Sequence, residues 1–101
     1  MLVAFSVAPA TADTPEGSVS AAVAEAVRIV RASGLPHETT SMFTTLEGEW
    51  DEVFEVIRRA TDAVTAVSSR VSLVIKADIR PGFTHQLTEK VTRLEQQLNR
   101  E

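Results

Sequence analysis

Cysteine is absent from the 101 residues, which excludes disulfides, thiol nucleophiles and cysteine-based zinc sites. Histidine is scarce: His37 and His85 are the two present, too few for a His-rich mononuclear metal site within one chain. Positive charge is also thin, with ten Lys and Arg against fourteen Asp and Glu for a net charge of −4. The cations are scattered, and Arg58-Arg59 is the one adjacent pair. Without a basic face, nucleic acid is not an expected partner. Long apolar runs are missing, and no segment approaches the ~20 residues of a membrane helix. No glycine-rich phosphate loop occurs and no Ser-His-Asp order stands out, so neither an enzyme nor a cofactor is expected.

The N-terminal "MLVAFSVAPATADT" lacks a positive n-region, and its apolar run stops at Pro9. That is not secretory-signal architecture, and a cytoplasmic protein is the default expectation. Hydrophobic residues make up 44% and charged residues 24%, the balance of a globular chain long enough for one core. A single domain over residues 1–101 is expected.

Residues 2–8, rich in Val and Phe before Pro9, form a strand pattern. A loop follows, then a helix capped by Ser18 or Ser20 and ended by Gly34 and Pro36. Its apolar positions are Val19, Val23, Ala26, Val27 and Val30. Residues 37–48, dense in Thr, suggest two short strands turning near Ser41-Met42. Val53, Ile57, Ala60, Val64 and Val67 recur at helical spacing over residues 50–67, with Val56 widening the stripe. Residues 70–80 alternate, with Val71, Leu73, Ile75, Ala77 and Ile79 on one face and Arg70, Ser72, Lys76 and Asp78 on the other. A last helix over residues 84–100 carries a narrow stripe of Leu87, Val91, Leu94 and Leu98. The order β-α-β-β-α-β-α predicts a ferredoxin-like α+β sandwich with a four-stranded antiparallel sheet and an extra C-terminal helix. Such a sheet has one helix-covered face and one open face. A mixture of Leu2, Ala4, Ser6, Ala8 and Val74 with polar groups on the open face suits self-association or a small ligand.

The densest chemistry lies in "TTSMFTTLEGEWDEVFEVI", residues 39–57. Glu49, Asp51 and Glu52 suit the positive end of a helix dipole. Glu47 stands outside that helix, at a strand end, where a carboxylate can accept a ligand's N–H. Trp50 can staple the helix start or offer a flat face to a ring or cation. The hydroxyls of Thr39, Thr40, Ser41, Thr44 and Thr45 fit either a strand or an uncharged polar pocket.

"TSMFTTLEGEWDEV" resembles the signature of the small thiamine-binding protein family, in which a Thr-containing strand ends in Glu-Gly before an acidic, aromatic helix start. The likeness extends through "LVAFSVAPA", "AVAEAVRIVRASGL" and "VSLVIKADIRPG" in the expected order. It implies a ferredoxin-like fold, assembly as homodimers or homotetramers, and non-catalytic binding of thiamine or its hydroxymethylpyrimidine part. An aminopyrimidine would then meet Glu47, Ser41, Thr44, Thr45 and the Trp50 ring, with Ser6 as a further wall. Phe43 departs from the pattern, since many members carry a glycine or another small residue there. Its ring either narrows the pocket or supplies the stacking face. The alternative is a regulatory or structural module like the ACT domains, which share the architecture and hold effectors at interfaces.

Overall fold

The computed structural model describes residues 1–10 and 16–100. Its elements are β1 (Leu2–Pro9), α1 (Glu16–Ala32), β2 (His37–Thr39), β3 (Thr44–Glu47), α2 (Trp50–Thr65), β4 (Val71–Asp78) and α3 (Gln86–Asn99). The order is the one periodicity predicts, with α2 two residues shorter at its C-terminal end and β4 and α3 one or two residues shorter at each end. Ser18 and Ser20 lie inside α1, which begins at Glu16, so neither caps it. The Val19 side chain and most of the loop before α1 lie outside the described residues.

All neighbouring strands are antiparallel, in the order β2-β3-β1-β4. One row of the sheet runs His37–Leu46–Val3–Ala77. Side chains alternate across the sheet, so Val3, Phe5 and Leu46 point to one face, where they are buried. The same face receives Ala26 and Val30 of α1 and Val53, Val56, Ile57, Ala60 and Val64 of α2. Burying each large aliphatic of this set contributes about 1.5–3 kcal/mol. The fold is thus a ferredoxin-like α+β sandwich with two helices on one sheet face.

Local chemistry fixes the helix ends. The backbone N–H of Glu49 donates to Glu52 Oε1 at 3.1 Å, which satisfies one donor at the start of α2. After α1, Gly34 takes φ +80°, a left-handed turn that a side chain would strain. The Ser33 hydroxyl donates to the Val30 carbonyl at 2.6 Å and accepts the Leu35 N–H at 3.2 Å.

α3 belongs to the other sheet face. Glu47, 7% exposed, accepts the Gln86 N–H at 2.7 Å and the Leu87 N–H at 3.2 Å. Lys90 then clasps Asp78 of β4. Beyond those anchors the helix stripe is bare, with Val91, Leu94 and Leu98 each more than half exposed.

Candidate functional site

β1 outruns β3. The two pair from Leu2 to Phe5 on β1, whereas β1 stays paired with β4 as far as Pro9. Past Phe5, the side of β1 that β3 would occupy is free, and the β2–β3 turn folds over the gap. α1 forms the far wall, leaving a cavity of about 210 Å³. Phe5, Val23 and Val27 supply its apolar surface, and Phe43 and Met42 its rim. Its polar side chains are those of Thr39, Thr40, Ser41 and Thr44, with Ser6 bordering it along β1 and turned by strand alternation toward the open face, and among the described residues no charged side chain lines it.

One hydroxyl is committed to the turn itself. Thr40 Oγ1 donates to the Phe43 carbonyl at 3.1 Å and receives the Met42 and Phe43 N–H groups at 3.4 and 3.3 Å. With the Thr40 N–H on the same carbonyl at 2.9 Å, the turn holds its shape without outside help. The hydroxyls of Ser6, Thr39, Ser41 and Thr44 make no hydrogen bond among the described residues. Each offers one donor and two acceptor positions to a guest.

The structure therefore gathers Ser6, Ser41, Phe43 and Thr44 in one cavity and leaves three expected residues elsewhere. Thr45 alternates to the open face, between Glu38 and Ala4. Glu47 lies on that face too, two residues further along β3, with both carboxylate oxygens on α3. Trp50 stacks on Phe54 at 5.1 Å between centroids and 17° between planes. It borders a separate cleft with Ile79, Arg80 and Phe83, where the Arg80 guanidinium sits 3.6 Å over the Phe83 ring. Val23 and Val27, apolar positions of the α1 stripe that sequence reasoning did not place in a site, are wall residues of the cavity. Val23 is 40% exposed, because α1 leans on α2 through Ala22, Ala26 and Val30 and turns its valines to the cavity.

The open face has its own electrostatics. The Lys90 ammonium holds the Asp78 carboxyl below its ordinary value of 3.8, first by a hydrogen bond and then by charge. A lowered folded-state value means the contact stabilises above the ordinary value and is lost as pH falls through the lowered one. Acidification through that window should speed hydrogen exchange in α3 near Lys90. In a Lys90→Met variant the exchange should already be fast, with no pH step there. A wild-type profile without a step would show that the clasp does not hold α3.

Fold and cavity together define a small ferredoxin-like domain with an uncharged, hydroxyl-lined cleft between a β-hairpin and a helix. The chain belongs to the family described as thiamine-binding protein, which it matches over residues 3–95. It is 50% identical to a UPF0045 protein of Mycobacterium tuberculosis over 101 residues, covering 99% of this chain and 96% of that one. A solved domain of unknown function (DUF77) from Bacillus cereus superposes with a TM-score of 0.77 at 38% identity, over 89% of this chain and 85% of that one. A Thermotoga maritima protein provisionally named for thiamine biosynthesis or salvage shares the fold with a TM-score of 0.71 at 23% identity, over 92% and 96% of the two chains. Among the described residues, no helix is long and apolar enough to cross a membrane and no acid–histidine cluster could hold a metal ion.

Proposed function

We propose that this protein is a cytoplasmic, homo-oligomeric and non-catalytic binder of thiamine or its hydroxymethylpyrimidine part. The observation that carries the reading is the hairpin cavity, with the uncommitted hydroxyls of Thr39, Ser41 and Thr44, two phenyl rings and, among the described residues, no charge. Family membership supplies the ligand class. An aminopyrimidine is flat and neutral, with an amine donor, ring-nitrogen acceptors and a hydroxymethyl group. Those features pair with Thr39, Ser41 and Thr44, with Ser6 at the sheet edge as a further wall, while Phe43 stacks on the ring. At about 210 Å³ the space falls below the ~300–1,000 Å³ usual for drug-sized ligands. It suits one ring, with the thiazolium of thiamine reaching the mouth. Self-association draws support from the bare stripe of α3 and from Val74, 52% exposed on the open face.

Calorimetric titration of ligand-free protein with thiamine and with hydroxymethylpyrimidine tests the reading. Saturable heat is expected with at least one of them. Thr44→Val, which keeps the shape and removes one hydroxyl, should weaken binding about five- to tenfold, the equivalent of one hydrogen bond of roughly 1 kcal/mol. Absence of heat with either compound near millimolar concentration would leave the regulatory-module alternative in possession.

A further inference from the structure

Thr40 lines the cavity and yet has no hydrogen-bonding position left for a guest. A threonine hydroxyl carries one donor hydrogen and two acceptor positions. Thr40 Oγ1 gives the hydrogen to the Phe43 carbonyl and takes the N–H groups of Met42 and Phe43 on both acceptor positions. All three bonds run back into the turn. The residues they hold are the ones a ligand would meet, since Ser41, Met42 and Phe43 make the hairpin wall of the cavity. We infer that Thr40 is a positioning residue, whose hydroxyl presets the Ser41 hydroxyl and the Phe43 ring for the ligand without touching it. The inference rests on the binding proposed above and names the residue that makes that site ready in advance.

Little else restrains the turn. β2 is three residues long, and His37, Glu38 and Thr39 are all exposed. It lies at the end of the sheet and pairs with β3 alone. β1 gives the turn no backing, because its pairing with β3 stops at Phe5. Ser41 and Met42 are exposed as well, and neither belongs to the core. Without the hydroxyl, the turn would keep the Thr40 N–H on the Phe43 carbonyl at 2.9 Å. One such bond closes the loop and leaves the peptide planes at Ser41 and Met42 free to rotate, whereas bonds from a side chain to the intervening N–H groups fix them. A wall that must be ordered at the moment of binding costs affinity. A site competent for only a fraction of the time has its dissociation constant raised by the inverse of that fraction.

Two substitutions isolate the hydroxyl. Thr40→Val keeps the shape of the side chain and removes the oxygen, while Thr40→Ser keeps the oxygen and removes a methyl. Calorimetry with the tighter-binding of thiamine and hydroxymethylpyrimidine should show the dissociation constant of Thr40→Val raised about five- to tenfold. Thr40→Ser should return it to within about twofold of wild type. Amide exchange at Met42 and Phe43 in the ligand-free protein should speed up in Thr40→Val and stay slow in Thr40→Ser. Both variants should keep the wild-type urea midpoint, since the turn lies outside the core. A cycle with Phe43→Ala separates positioning from contact: with the ring gone, Thr40→Val should cost about twofold or less. An undiminished penalty in the Phe43→Ala background would make Thr40 a ligand contact and overturn the inference. So would wild-type affinity in Thr40→Val, unchanged exchange at Met42 and Phe43, or a serine that restores nothing. Wild-type protein that binds neither compound would instead remove the binding reading, and the role of Thr40 with it.

Discussion

Glu47→Ala is expected to lower the unfolding free energy by about 2–3 kcal/mol and to free the first turn of α3. The carboxylate is nearly buried, and both of its oxygens accept backbone N–H groups, from Gln86 at 2.7 Å and Leu87 at 3.2 Å. Removing the acceptor strands two donors at the base of a helix, and an unsatisfied buried donor costs about 1–3 kcal/mol. It also deletes a negative charge from the positive end of the α3 dipole. Urea titration should show the loss of stability, and hydrogen exchange should place the new opening at residues 86–90. Glu47→Gln, which retains an acceptor oxygen and lacks the charge, should fall between alanine and wild type.

The same variant separates two roles for the residue. With the ligand in the hairpin cavity, Glu47→Ala should leave affinity for hydroxymethylpyrimidine within about twofold, since the carboxylate lies on the opposite sheet face. A large loss of affinity without a change in α3 would return Glu47 to the ligand, as the sequence reading had it.

Leu46→Ala is the second large effect. Leu46 is 0% exposed and lies between Val3 and His37 in the sheet, facing the α2 valines. A Leu→Ala change in such a core costs about 2–5 kcal/mol, the spread reflecting how far the surroundings collapse. Domains have about 5–15 kcal/mol in total, so at mid-range values the variant should lose about a third of its margin. Thermal unfolding should shift down by at least about 8 °C, since a domain this size moves roughly 4–8 °C per kcal/mol. If the hairpin cavity holds hydroxymethylpyrimidine, ligand at a hundredfold over its dissociation constant should restore about 2.7 kcal/mol. A variant with wild-type stability would show that the β3 core contact is dispensable.

Legibility followed locality. The alternation of Val71, Leu73, Ile75 and Ala77 and the period of Val53, Ile57, Ala60 and Val64 are backbone geometry written directly in residue spacing. From them the element order, the sandwich and its open face could be read in advance, and the likeness around "TTLEGEW" pointed to the family. Sequence neighbours in the site proved less informative. Thr44 and Glu47 are three residues apart, yet they lie on opposite faces because a strand turns successive side chains over. A turn-rich stretch that looked like one lining is divided between a cavity, a helix cap and a second cleft.

Composition and periodicity alone were enough for the fold class, for the absence of thiol chemistry, and for the hydroxyl-rich hairpin. Three matters waited on tertiary structure, each because its partners are distant in the chain. Glu47 meets its donors about forty residues on, at the start of α3. Val23 and Val27 became cavity wall rather than core when α1 packed against α2. The outer side of β4 became an unpaired edge when β1 took its inner side, and no spacing within residues 71–78 could show which side that would be.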